Sequence, residues 1–364
     1  MKNLKACLVV VICALFFLAG VAAADPKPYL VGVFLSLSGD CSDTGSVALK
    51  GTELAVDEIN AKGGILKRPV KLVVEDSREN DPVNAVTAYR RLALNRDIRL
   101  LIGPSCTPAG LAVAPLVAKN PSVIMISPSI GLRQVNEAGD NIFKLWPYDE
   151  EGPRLLARYA RDQGWKRAAV FSSQQAWEEA QGNFFCDDFK RLGGEIAAKV
   201  EPLQSETDFR TAAAQLIATS PDFIMMSNYV RFAPAARSLR MLGYHGPKLS
   251  TLMTGDAVKL ADGALEGVVS YGYEPSSPGF VARFREKYGK EPWSVGADTA
   301  YDALHLYARA VHEAGADSTP LVAKRLLEVR QYEGASGKLS LDSKGGVIKE
   351  PVLFRVKDGQ IGRL

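Results

Sequence analysis

From Tyr29 onward, short runs of nearly unbroken apolar residues alternate with longer stretches whose apolar positions recur at helical spacing. Tyr29–Ser36 (YLVGVFLS), Val70–Glu75, Arg99–Ile102, Val123–Ile126, Ala168–Phe171, Phe223–Met226 and Val268–Tyr271 are runs of the first kind. Their low polar content predicts strands of parallel sheets covered on both faces. Between them, Ser46–Ala61 sets Val47, Leu54, Ala55 and Ile59 near one helical face and stops at Gly63-Gly64. Asp81-Pro82 opens a second helix as cap and first-turn proline, and Pro108–Lys119 and Arg231–Leu242 continue the series. Such alternation predicts an open α/β fold. At 364 residues the chain exceeds what one core usually serves, so the fold is expected in two copies facing each other.

The first residues follow a different pattern. Met-Lys-Asn-Leu-Lys precedes an apolar run from Ala6 to Ala19, and Ala22 and Ala24 supply small residues before Asp25. These are the three parts of a secretory signal, with cleavage expected after Ala24. The run falls short of the ~20 residues that a bilayer span needs. Removal of Lys2 and Lys5 lowers the formal net charge from +3 to +1, and the cysteines left are Cys41, Cys106 and Cys186. No basic block stands out from this balance, which argues against nucleic acid as a partner. An exported chain permits disulfides. Cys41 and Cys106 lie on loops after first-half strands and form a candidate pair, whereas Cys186, on a predicted helix, is expected as a free thiol.

In open α/β sheets, ligands sit beyond the carboxyl ends of strands. The segments to interrogate are therefore Ser36–Ser46, Gly103–Thr107, Ser127–Gly131, Ser172–Trp177, Ser227–Tyr229 and Thr251–Asp256. Their catalytic inventory is thin. None of the three histidines is at a strand end, and the zincin, paired-cysteine and nucleophile-elbow motifs are missing from the sequence. No enzyme, metal or cofactor is expected. Binding chemistry is better represented. Thr107-Pro108 leads from a strand into a helix, whose free amides and dipole favour a carboxylate, unless Thr107 only caps the helix. Ser127-Pro-Ser129-Ile-Gly131 repeats the arrangement, and two such loops side by side make an anion cradle. Trp177 and Tyr229 follow second-half strands and suit either a ligand clamp or core packing. Asp256 suits either a cationic ligand group or a turn.

In order along the chain stand Leu37-Ser-Gly39, Gly51-x-Glu53-Leu-Ala-Val-Asp-Glu-Ile-Asn-Ala-Lys-Gly-Gly-Ile65, Ile102-Gly-Pro-Ser-Cys-Thr107 and Met125-Ile-Ser-Pro-Ser129. Tyr301-Asp302-Ala303 and Gly337-Lys-Leu-Ser-Leu-Asp342 come later. With these marks, from Tyr29 to about Gly359, the chain resembles the leucine/isoleucine/valine-binding family of type I periplasmic solute-binding proteins. The resemblance implies two doubly wound, parallel-sheet α/β lobes around a ligand cleft, joined by three crossings. It also implies delivery of an amino acid or related carboxylate to the membrane subunits of an ABC permease, by a monomer in the periplasm. A signal at 1–24, a first lobe of 25–145 and 275–349, and a second lobe of 146–274 and 350–364 are expected. The resemblance places the hydroxyl of Thr107 on the ligand's carboxylate and Thr44 in the first-lobe pocket. It places Ser129 at the ligand's polar end and Asp256 near the acid that holds the ammonium. Trp177 stands where a tyrosine is common, and Tyr229 where an aromatic residue is expected. Gly131 replaces a second hydroxyl, leaving that contact to its backbone N–H. The two departures, Gly131 and Trp177, keep an aromatic acid or short amide open as ligand. A sensor subunit with the same cleft is the alternative role.

Overall fold

The computed structural model describes residues 26–39, 41–78 and 82–364. The expected signal at 1–24 and the expected cap Asp81 lie outside the described residues. Ten strands come in two sets of five: β1 (Tyr29–Leu35), β2 (Val70–Asp76), β3 (Leu100–Ile102), β4 (Ile124–Ser127) and β5 (Ile142–Pro147), then β6 (Arg167–Ser172), β7 (Glu195–Val200), β8 (Phe223–Ser227), β9 (Lys248–Ser250) and β10 (Val269–Gly272). β11 (Tyr332–Gly334), β12 (Gly337–Leu341) and β13 (Gly346–Ile348) return to the first sheet. β14 (Val352–Lys357) and β15 (Gln360–Arg363) complete the second.

Both sheets use one plan. The first runs β2-β1-β3-β4-β5 in parallel, then adds β13, β12 and β11; the second runs β7-β6-β8-β9-β10 in parallel, then adds β14 and β15. In each, the order reverses beside the set's first strand, between β1 and β3 and between β6 and β8. A crevice opens there, because loops on either side of a reversal leave toward opposite faces. The chain passes between the sheets three times, after Pro147, after Gly272 and after Ile348.

Each sheet buries apolar side chains on both faces, as the apolar runs predict. One face of the first sheet packs Val31, Val33 and Ile102 on helices Ser42–Ala61 and Ala297–Ala314, and the other packs Phe34 and Leu101 on Pro82–Ala93 and Thr107–Ala118. The second sheet does the same with Phe171 and Met226 on one side and Val170 and Met225 on the other. Motifs far apart in sequence meet. Asp302 accepts from the amides of Ala335 (2.7 Å) and Ser336 (2.8 Å), pinning the turn between β11 and β12 to the Ala297–Ala314 helix. Asn60 exchanges two hydrogen bonds with Val70 and fixes the entry to β2.

Two helices start earlier than the sequence pattern predicts. The first begins at Ser42 instead of Ser46. Gly45 makes this fit, since a Cβ there would lie 1.8 Å from the Ser36 carbonyl oxygen. The other begins at Thr107, with Cys106 in the capping position and no side-chain cap. Thr107 is thus the first helical residue and its hydroxyl is not used as a cap.

Candidate functional site

The first-lobe wall consists of three laced loops beyond β1, β3 and β4. Ser105 Oγ accepts from the Ser36 amide (3.1 Å), and Ser129 Oγ donates to the Ser105 carbonyl (2.6 Å). Ser127 Oγ donates to the Pro104 carbonyl (2.9 Å). A Cys41–Cys106 disulfide, with Cα atoms 6.9 Å apart, ties the β1 loop to the β3 loop across the reversal of strand order. Cys186 is a buried free thiol on the Ala176–Arg191 helix. Lacing holds the Thr107–Ala118 helix so that its start faces the cleft. Gly110 donates to the Cys106 carbonyl (3.1 Å), and the amides of Thr107 and Ala109 ahead of it have no partner inside the helix. Thr107 is buried, and its hydroxyl makes no hydrogen bond among the described residues.

The second-lobe wall comes from the loops after β6 and β8. Gln175 caps the Ala176–Arg191 helix by accepting from the amides of Trp177 (2.6 Å) and Glu178 (3.1 Å). Trp177 and Tyr229 meet edge to face, with ring centroids 5.7 Å apart. The indole Nε1 of Trp177 donates to Asp149 Oδ1 (2.9 Å), on the first crossing. Burial raises the Tyr229 phenol, opposed by the hydroxyl of Ser294, which comes from the first-lobe side and also bonds Thr44 (3.2 Å).

Between these walls lies a cavity of about 70 Å³, lined by Thr44, Ser105, Thr107 and Ser129 on one side and Gln175, Trp177, Glu178 and Tyr229 on the other. One water needs ~10–15 Å³, so the space suits a small polar solute. A larger cavity of about 300 Å³ adjoins it past Trp146, Leu252 and Val295, where the crossings converge. The charged groups of that second space are engaged: Asp298 with Ser276 (2.8 Å), Lys349 with the Ser336 carbonyl (2.7 Å) and Glu274 with Arg363. The smaller space, bordered by the uncapped helix start at Thr107 and lined by polar side chains of both walls, is the candidate site.

Of the residues expected at the site, Thr44, Thr107, Ser129, Trp177 and Tyr229 line this one cavity. Gly131 and Asp256 do not. Gly131 packs against the Asp149 carboxylate, where a Cβ would lie 2.4 Å from Oδ1, and its carbonyl accepts from Lys144 Nζ (3.0 Å). It is small because Asp149 lies against it. Asp256 falls in the first turn of the Gly255–Leu260 helix, capped by Thr254. Its side chain is 75% exposed and pairs with Lys259, so solvent already answers its charge. Leu252, four residues earlier, faces the cavity instead. Glu178 and Gln175 were missed. An acid and a polar cap at a helix start read as ordinary capping chemistry; the one available signal was their position beside Trp177 at a strand end.

Behind the site is a buried polar group. Lys144, in the middle of β5, reaches the carbonyls of Gly131 and Trp146 (3.1 Å) and lies 3.6 Å from the Tyr148 ring centroid. Burial lowers its ammonium and raises the nearby Asp149 carboxyl, in both cases the form that leaves less charge in the interior.

A family model described as periplasmic binding protein matches residues 28–360, and the chain belongs to that family. A leucine-binding protein of Thermotoga maritima has the same fold, with a TM-score of 0.83 and 26% identity over 92% of this chain and 97% of its own. The Leu/Ile/Val-binding protein of Citrobacter freundii is 24% identical over 333 residues, 89% of this chain and 88% of that one. A solute-binding protein of an ABC transporter from Rhodopseudomonas palustris, solved with 3,4-dihydroxybenzoic acid, superposes with a TM-score of 0.81 at 20% identity, covering 93% of this chain and 96% of its own.

Proposed function

We propose that this protein is the extracytoplasmic solute-binding component of an ABC importer, closing its two lobes on an amino acid or a related small carboxylate and handing it to a membrane permease. One observation carries the reading: a small cavity between the two strand-order reversals, with an uncapped helix start on one wall and an aromatic pair on the other. The Thr107 hydroxyl and the amides of Thr107 and Ala109 would receive the carboxylate, a group that a helix start favours by dipole and by free donors. Trp177 and Tyr229 would cover the apolar part. Export by cleavage after Ala24, and binding without catalysis, belong to the same proposal. The relatives named for leucine and for leucine, isoleucine and valine support an amino acid as solute.

The test is the mass of any solute released when the purified protein is denatured. Calorimetry against amino acids and carboxylic acids, aromatic ones included, then follows. A dissociation constant below roughly 100 µM, about −5.5 kcal/mol, for one member is expected. Weaker binding across both panels counts against the reading.

A further inference from the structure

The two halves of the disulfide stand at matching places. Cys41 precedes the helix Ser42–Ala61 and Cys106 the helix Thr107–Ala118, each in the capping position and neither with a side-chain cap. Each gives its carbonyl to the first amide of the helical ladder, Gly45 in one and Gly110 in the other, both at 3.1 Å. Serine, threonine, aspartate or asparagine usually stands at such a position and accepts from first-turn amides. Sulfur accepts only weakly, so the amides ahead of Gly45 and Gly110 stay without a partner inside either helix. Both cysteines line the small cavity, as do Thr44 and Thr107 from the first turns behind them. Thr107 is 3% exposed, and its hydroxyl makes no hydrogen bond among the described residues.

A helix start carries positive partial charge, and two of them with capping Cα atoms 6.9 Å apart repel each other. The Thr107 helix has no acid in its first turn, and Asp43, in that of the other helix, is exposed. The two helices pack on opposite faces of the first sheet. Their starts are brought to one place by the disulfide and by the hydrogen bond from the Ser36 amide to Ser105 Oγ. An anion between two such starts relieves their repulsion and takes the free donors of both. Resting on the carboxylate-solute reading above, we infer that the Cys41–Cys106 disulfide is a positioning element of the site, holding two uncapped helix starts side by side so that both dipoles act on one carboxylate. Cysteine at both capping positions ties the loops without consuming the amides that the solute needs.

The experiment titrates leucine, phenylalanine and 3-phenylpropionate, and the primary amide of each, by calorimetry. Four forms are compared: the oxidised parent, the parent reduced by dithiothreitol, Cys41→Ala with Cys106→Ala, and Cys41→Ala with Cys106→Ser. The dithiol supplies two electrons and two protons, so that the S–S bond becomes two thiols and the dithiol its cyclic disulfide. Circular dichroism checks that each form is folded. The oxidised parent should prefer an acid to its amide. Reduction and the double alanine variant should weaken the acid roughly five- to thirtyfold and the amide less than about twofold. Cys106→Ser should weaken the acid further than Cys106→Ala. The backbone there is extended (φ −127°, ψ 155°), and a serine hydroxyl in that conformation takes the Ala109 amide for itself. Unchanged affinity for acids in a folded, opened form overturns the assignment, whatever the melting temperature, and leaves the carboxylate reading standing. An equal loss on acid and amide, a serine variant no weaker than the alanine one, or an opened form that does not fold also overturns it. A parent that binds amides as tightly as acids, or that binds none of the probes, refutes the carboxylate reading and the assignment with it.

Discussion

Thr107→Val isolates one atom of the proposed site. Valine keeps the volume and the branching at Cβ and removes only the hydroxyl. In the free protein that hydroxyl has no partner among the described residues and is not a helix cap, so its removal strands no donor or acceptor. Unfolding stability without solute is therefore expected to hold or to rise slightly. With solute bound, the same hydroxyl would donate to a carboxylate, and a hydrogen bond to a charged group contributes about 1.5–3 kcal/mol. At 1.4 kcal/mol per factor of ten, the dissociation constant should weaken roughly 10- to 150-fold. Calorimetry gives the affinity, and thermal melts with and without solute give the two stabilities. Unchanged affinity would remove the hydroxyl from the contact list. A lower melting temperature in the free protein would refute the reasoning differently, because the hydroxyl would then be holding the loop.

Other substitutions test neighbouring claims. Replacing Cys41 and Cys106 by serine opens a link spanning 65 residues and should lower stability by up to about 4 kcal/mol in denaturant unfolding, with added reductant producing the same loss in the parent. Trp177→Phe removes the one donor to Asp149 Oδ1 found among the described residues and should cost about 1–3 kcal/mol of stability; it should also reduce any change in tryptophan emission on solute addition, leaving the part that comes from Trp146. Asp256→Asn should leave affinity within about twofold, because its exposed pair with Lys259 is worth little and lies away from the cavity. The Glu178 carboxyl, raised by burial from 4.5 to about 7, stabilises the free fold while protonated, an advantage lost as pH rises through 7. Glu178→Gln should thus match the parent below the unfolded value of 4.5, near pH 4, and exceed it near pH 8 by up to about 3 kcal/mol in urea unfolding.

Most of the alternating strands and helices were legible because parallel strands buried on both faces are written as apolar runs. β5 was not, since Lys144 interrupts IFKLWP, and it takes the carbonyls of Gly131 and Trp146 and the ring of Tyr148 to make a lysine tolerable there. β7 was hidden for another reason. It is the sheet's edge and only half buried, so EIAAKV carries no apolar run. At the site, the rule of loops after strands picked out Thr44, Thr107, Ser129, Trp177 and Tyr229, which the structure brings around one cavity. Asp256 lies outside that lining, in the first turn of a helix capped by Thr254, and sequence proximity to a strand does not show which way such a turn faces. The rule passed over Glu178, which lines the same cavity, because an acid at a helix start looks the same in sequence whether buried or exposed, and burial is a property of the assembled lobes.

The indole of Trp177 borders the cavity and also donates to Asp149 in the segment joining the lobes. The apparent affinity of a two-lobed binder is its intrinsic affinity scaled by the fraction of molecules already in the competent arrangement. A substitution at Asp149 would therefore act on the joint and, by releasing the Trp177 indole, on one wall of the cavity at once. Through this one hydrogen bond, the position of the joint and the shape of the wall are coupled in this chain.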